Sequence, residues 1–433
     1  MIAVPTRGAP PRRYPSLAGI ALMAWGLQSL WLVAPAAAQA SPATIAWNRA
    51  LDQPPAWYAS AEAVRIADNV VLYQHENGGW EKNIDMARAL GDSDRARLRA
   101  DAQGGTTIDN GATYTQIRYL ARVYESTRRE RFRDGMLRGV DFLLAAQYAN
   151  GGWPQFYPIR QGYYEHVTFN DGAMIGVMRL LRDVAQGRAS FASVDGERRS
   201  RAAAAIVRGL NVILRTQVEF DGKLTAWCAQ YDHATLRCAK ARAYELPSLS
   251  GGESVDVVRY LMEIDKPGPD IVRAVESAVR WFDEVKLTGI AVVVKRDTTL
   301  PRGFDRVVVD DLAAPPLWAR FYEIGTNKAM FVGRDGIVRN SLAEIEHERR
   351  VGYSYLGAWA RELLSREYPA WRRRVGMEAV TNLKRPGDRR AAFTLNTRWT
   401  PWPCRQTSAL SGSRPRGIDL ADGAAQNPLT APR

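Results

Sequence analysis

The chain has 433 residues, enough for one large domain or two to three small ones, and its 46% hydrophobic content is that of a globular protein. The formal net charge of +13 invites a nucleic-acid reading, but the charge lies at the ends. Residues 1–40 carry three arginines and no acid, and residues 371–433 carry twelve basic and four acidic side chains. A near-neutral body with basic ends excludes a nucleic-acid footprint.

Residues 1–40 have the pattern of a secretory signal: a basic start, an apolar run from Leu17 to Ala34, and Ala38-Gln39-Ala40 as a cleavage site. The mature protein is therefore expected to be secreted or periplasmic in a bacterium. No later segment is long and apolar enough to span a bilayer, so no membrane contact is expected after cleavage. Helical periodicity predicts helices over 45–73, 110–124, 131–147, 171–186, 198–217, 254–264 and 268–285. Apolar runs at 290–295 and 306–311 predict a strand hairpin, and a helix is expected over 341–364. Past Trp371 the chain is rich in Arg, Pro, Gly and Ser without a sustained period. The body is thus assigned to 41–371 and a basic, disordered tail to 372–433.

Between two of these helices lies the stretch NGGWPQFYPIRQGYYEHVTFNDGAM, residues 150–174. Pro154, Pro158 and three glycines exclude an ordinary helix over 150–162. The loop carries Trp153, Phe156, Tyr157, Tyr163 and Tyr164 beside Arg160, Glu165, His166 and Asp171. Aromatic faces beside charged groups suit a sugar, whose ring stacks and whose hydroxyls hydrogen-bond; a hydrophobic cluster beneath a long loop would have the same composition. Trp153 has counterparts in Trp80 and Trp227, at spacings of 73 and 74 residues, and each follows a helical pattern ending in Gln74, Gln147 or Gln217. Such a period points to an internal repeat of helix, loop and helix, and hairpins that cannot bury themselves singly must stack or close into a ring. A mostly α body with long loops on one side is expected to form an α/α toroid with a cleft across its loop face. Cys228 and Cys238 could form a disulfide in an oxidising space, leaving Cys404 unpaired, and four scattered His with no CxxC argue against a zinc site.

The loops hold a charged set: Lys82, Asp109, Asp171, Lys240, Arg242, Glu245, Glu253, Arg320 and Arg334. Asp109 and Asp171 stand just before helices, where a capping acid is common, and exposed arginines often form ion pairs worth little. As a set they suit a polyanionic sugar, because guanidinium grips carboxylate bidentately. Aspartates beside an anionic ligand make sense only with a bridging cation, and Ca²⁺ accepts carboxylate oxygens from protein and substrate alike.

The strings WEKNIDMA, TTIDNGAT, NGGWPQFYP, VTFNDGAM, TAWCAQYD, ARAYELPSLSGGES, WARFYEIGTN and FVGRDG, in this order over about residues 44–371, resemble the pectate lyases of polysaccharide lyase family 10. The resemblance implies an (α/α)3 toroid with a small β element and Ca²⁺-dependent β-elimination of de-esterified polygalacturonate to 4,5-unsaturated products. It implies that Asp109 and Asp171 hold Ca²⁺ in the catalytic centre and that Arg242 abstracts the proton. Arg320 and Arg334 are implied to bind substrate, with Lys82, Trp153 and Lys240 added from the reading of the loops. Free arginine has a pKa above about 12, so a base role calls for crowding by Lys240, Arg320, Arg334 and Ca²⁺ to lower it. The expected partner is an acidic polysaccharide, with the chain acting as a monomer. Two other readings stand beside this one: an oligouronide hydrolase pairing Glu245 or Glu253 with Asp171, and a non-catalytic acidic-glycan binding protein.

Overall fold

The computed structural model describes residues 45–100 and 105–377. The expected signal segment, Cys404 and the tail beyond 377 lie outside the described residues. The helix Tyr368–Arg374 runs through the boundary expected at 371. Trp371 is buried there, and Arg374 donates to the carbonyl of Met262.

Three helical hairpins build the body. Tyr114–Thr127 packs on Glu130–Ala145, Ala173–Gln186 on Gly196–Thr216, and Glu253–Met262 on Pro269–Glu284. The first members of the hairpins touch one another in sequence, as do the second members, and Ala61–Leu72 joins the first hairpin. The first members form the inner layer: Glu253–Met262 buries eight of its ten residues, whereas Gly196–Thr216 buries six of twenty-one. The links within hairpins are short and locally determined. Arg128 and Gly187 take left-handed conformations that stop their helices, Asp195 caps the next by accepting from the Arg198 amide, and Pro269 opens another. The result is the expected (α/α)3 toroid. No described helix is long and apolar enough to cross a membrane.

The tryptophan period has a physical cause. Trp80, Trp153 and Trp227 are fully buried, and each donates its indole N–H to a carbonyl near the end of the preceding outer helix, at Val70, Leu143 and Ile213. Gln74, Gln147 and Gln217 each donate twice, once within their own loop and once to a carbonyl of the next outer helix, at Gly135, Ala205 and Ala274. A glutamine therefore pins each outer helix to its neighbour while a tryptophan plugs the loop beneath. Gly78 and Gly151 let the loop pass close to the next helix: both have positive φ, and a Cβ on either would lie 2.3 Å from the carbonyl oxygen of Arg138 or Arg208. Trp318 is a fourth member that the period did not reveal. It donates to Phe282 across the interposed hairpin Ile290–Arg296 and Phe304–Asp310, whose strands pair as expected.

The helix expected over 341–364 is instead broken into a turn at Leu342–Glu344 and the short helix His347–Gly352. Leu356–Gly357 then pairs with Trp318–Ala319. Tyr353 stacks on Phe321 and Tyr355 meets it edge-on in a second, smaller core, and that packing outweighs helix propensity here. A further helix, Asp92–Ala100, was not expected. Cys228 and Cys238 are bonded, with Cα atoms 5.7 Å apart.

Candidate active site

Every long loop leaves the end of an outer helix and enters the start of an inner one, so the loops gather at one end of the toroid. Two of them end in the same kind of tight turn, Asp109–Gly111 and Asn170–Gly172, and these turns pack against each other. Asn110 and Asp171 occupy matching left-handed positions, with φ of 51° and 50°, which Asn and Asp tolerate better than most residues. The acid thus stands one place earlier in the first turn than in the second. Asp109 points inward and is 3% exposed, while Asp171 is exposed. Neither caps a helix: the residues in the cap positions are Thr113 and Gly172, without side-chain caps. The capping reading is therefore corrected, since both acids sit in turns outside their helices.

Strand pairing brings the other walls to these turns. Thr168 pairs with Gln230, and the amides of Phe169 and Asn170 both donate to the carbonyl of Ala229. Ser250 pairs with Phe321, which sets Arg320 beside Glu253 at the start of an inner helix. A polar cavity of about 90 Å³ results, lined by Lys82, Asp109, Asn110, Gln155, Tyr163, Thr168, Asn170, Asp171, Gln230, Ala241, Arg242 and Glu245. A larger cavity of about 620 Å³ lies near Arg182 and Tyr260, but at the other ends of the inner helices, away from this charged set.

Each acid in this region contacts a cation, with Asp171 and Glu253 sharing Arg320. Lys82 Nζ pairs with Asp109 Oδ2, while Asp109 Oδ1 is buried with no partner. Arg320 pairs with Glu253 and reaches Asp171 Oδ1 at 3.5 Å. Burial pushes the Asp171 carboxyl up, and Arg320 opposes this. Arg242 Nε donates to Glu245 Oε2 at 2.7 Å, and its Nη2 donates to Oε1 of the same carboxylate. The Tyr353 hydroxyl also donates to Glu245 Oε1, at 2.9 Å, and its ring lies under both Arg320 and Arg242, at 5.0 and 5.8 Å. Glu245 is 5% exposed; burial raises its carboxyl, but the Arg242 and Tyr353 contacts outweigh this and hold it below its ordinary value.

Lys82, Asp109, Asp171 and Arg242 thus line one cavity, with Arg320 touching Asp171 at its edge. Three expected residues fall elsewhere. Trp153 is 0% exposed and cannot meet a substrate, so its assignment as a sugar platform is corrected: it is the core plug described above. Arg334 is exposed, pairs with Glu348 at 2.9 Å, and lies 5.9 Å from the far side partner of Arg242, the Tyr244 ring. Lys240 is exposed and does not line the cavity. The lowering of Arg242 by crowded cations is also corrected. The hydrogen bonds and charge of Glu245 dominate and raise it. Residues that the sequence reading did not place include Gln155, Thr168, Asn170, Gln230 and Tyr353, while of the loop aromatics it named Tyr163 lines the cavity. Glu245 was named in the charged loop set and as a hydrolase acid, but not as the partner of Arg242, although its place three residues after Arg242 is the spacing of a local ion pair.

The sequence profile of the pectic acid lyase family matches residues 74–364. A family 10 polysaccharide lyase from Cellvibrio cellulosa is similar in structure, with 34% identity, TM-score 0.63, and coverage of 77% of this chain and 95% of that one. A mutant of the Cellvibrio cellulosa family 10 enzyme in complex with trigalacturonic acid matches with 35% identity and TM-score 0.62, over 75% of this chain and 98% of its own. No curated protein matches the chain significantly. With the family profile covering most of the toroid and all of the cavity's charged residues, the chain belongs to the pectic acid lyase family and is a family 10 polysaccharide lyase.

Proposed function

We propose that the protein cleaves de-esterified polygalacturonate by Ca²⁺-dependent β-elimination, outside the cytoplasm. The observation that carries this reading is the cavity in which three carboxylates, Asp109, Asp171 and Glu245, and two cations, Lys82 and Arg242, face one another, with Arg320 at its edge. Trigalacturonic acid bound to the related Cellvibrio enzyme supports the same class of substrate. A hydrolase or a non-catalytic binder would not account for membership of a lyase family.

Asp109 Oδ1 is buried and unpaired, and Asp171 faces the same cavity beside the amide side chains of Asn170 and Gln230. An all-oxygen set of this kind suits a hard cation. Among the described residues no cluster of three or more His, Cys, Asp or Glu gathers to hold a metal, so a carboxylate from the substrate would complete the set. Bound Ca²⁺ supplies positive charge to a uronate carboxylate that gains a second negative charge as its α-proton leaves.

The protein's own groups do the rest. Arg320 and Lys82 pair the uronate and fix its ring. Arg242, in the neutral form that alkaline pH makes available, accepts the C5 proton as the C4–O bond breaks, a C4–C5 double bond forms, and the released oxygen takes a proton from solvent. Glu245 and Tyr353 hold the Arg242 fork in place for that transfer. The test is incubation with polygalacturonate, following ultraviolet absorbance of the unsaturated product with and without excess chelator. Product that forms only when Ca²⁺ is available is expected. Unchanged rates in chelator would refute the cation dependence, and saturated products would refute elimination. Secretion is tested separately: the N-terminus of exported protein should begin after Ala40.

A further inference from the structure

We propose that Lys82 is a resident counter-ion that holds the divalent-cation site closed until a uronate arrives. This rests on the Ca²⁺ reading above and concerns what fills the site before substrate does. Asp109 is the most buried acid of the cavity, and one of its oxygens is already taken by Lys82 Nζ. The other is buried, aimed at no partner, and so is the only acceptor of that side chain left to a ligand. Lys82 is 29% exposed and rests 5.6 Å from the Phe156 ring centroid, at the mouth of the cavity rather than in the core. Its flexible stem and compact charge allow it to swing from one carboxylate to another, which a rigid guanidinium fork held by two bonds does not do.

The charges around the cavity are four acids, Asp109, Asp171, Glu245 and Glu253, against three cations, Lys82, Arg242 and Arg320. Free protein therefore offers a divalent ion a site of only one net negative charge, with an ammonium already on the deepest carboxylate. An ammonium and a divalent ion on one carboxylate repel each other. When a uronate is present it adds a carboxylate that Lys82 can pair with, which frees Asp109. The metal and the uronate then bring the count to neutrality together. The two ligands are thereby coupled: each raises the affinity for the other by the same factor. The ion is taken up with substrate and is not stored in the resting protein.

The experiment is calorimetric titration of the full chain with Ca²⁺, alone and in saturating galacturonate, which has no glycosidic bond to cleave. Wild type, Lys82→Met and Lys82→Arg are compared. In wild type, galacturonate should tighten Ca²⁺ binding about tenfold or more. Lys82→Met should bind Ca²⁺ without galacturonate about tenfold tighter than wild type, and galacturonate should then add little. Lys82→Arg should bind Ca²⁺ weakly with or without galacturonate, because a guanidinium fork does not leave Asp109 as the ammonium does. If Lys82→Met binds Ca²⁺ alone no tighter than wild type, while galacturonate still promotes binding in both, the counter-ion role is overturned and the Ca²⁺ reading stands. If wild type binds no Ca²⁺ even with galacturonate, the Ca²⁺ reading itself fails.

Discussion

Glu245→Gln separates two roles that Glu245 plays toward Arg242. The substitution keeps the shape of the side chain, which is 5% exposed, but removes the charge that two guanidinium nitrogens and the Tyr353 hydroxyl share. A hydrogen bond to a charged group contributes about 1.5–3 kcal/mol. Because the Arg242 side chain is 42% exposed, solvent screening brings the expected loss to about 1–2 kcal/mol. Denaturant unfolding at neutral pH should show that loss. The Glu245 carboxyl is held below its ordinary 4.5, so the stabilisation it gives is present above that value and disappears as pH falls through the lowered one. Wild type and variant should therefore converge in stability on acidification below about pH 4. The kinetic effect runs on a second axis. Loosening the fork by the same amount should lower kcat/KM about 5- to 30-fold near neutrality. Yet Glu245 also raises Arg242, so removing its charge lowers the arginine. If Arg242 accepts the proton, the limb of kcat/KM that rises toward alkaline pH should move to lower pH in the variant. A limb that stays in place, with only the amplitude reduced, would refute Arg242 as the proton acceptor and leave it a binding residue.

Arg242→Lys should retain the fold, judged by its melting curve, while losing nearly all turnover, because an ammonium cannot reproduce the two-pronged contact with Glu245; activity within tenfold of wild type would count against this. Trp153→Ala should cost about 3–5 kcal/mol and lower Tm sharply, with KM of the remaining folded enzyme unchanged. A raised KM at unchanged stability would restore Trp153 as a sugar platform. Arg334→Ala, at an exposed side chain outside the cavity, should leave Tm unchanged and raise KM for polymer more than for short oligomers; equal effects on both would place Arg334 against the reacting sugar. Gly151→Ala should destabilise the loop, since its Cβ would meet the Arg208 carbonyl oxygen at 2.3 Å, and wild-type stability in that variant would refute the close approach.

The helices were legible because their apolar stripes recur at helical spacing, and the ring was legible because Trp80, Trp153 and Trp227 recur at one period. The acids and Arg242 were found because each lies in a short loop string rather than on a periodic face. What composition could not supply was direction. Trp153 sits in a loop of aromatic and charged residues, but its indole N–H needs a carbonyl, and the end of the preceding helix provides one. The aromatic richness of that loop is therefore partly core, and Tyr163 rather than Trp153 faces the cavity. Trp318 escaped notice because the strand hairpin lengthens its repeat to 91 residues after Trp227, although its hydrogen bond is of the same kind. The helix expected over 341–364 failed where Tyr353 and Tyr355 leave the helical pattern to pack beside Arg320 and Phe321. Tertiary packing decided that segment, and no local signal records it.

The single-residue offset between the two acidic turns accounts for how one repeated frame yields an asymmetric site. Asn110 and Asp171 share the left-handed position, and Asp109 and Asn170 share the one before it. An acid at the Asn110 position would stand exposed like Asp171, and one at the half-buried Asn170 position would lie deeper. Two buried carboxylates would repel and resist ionisation, and two exposed ones would leave no deep anchor. With the offset, one carboxylate is fixed inside, neutralised by Lys82, and the other stands at the surface within reach of Arg320. The tryptophans and glutamines hold the loops in register without touching the chemistry, so each turn is free to carry a different acid. Their rigidity is what allows a shift of one residue in sequence to become a difference between a buried and an exposed charge.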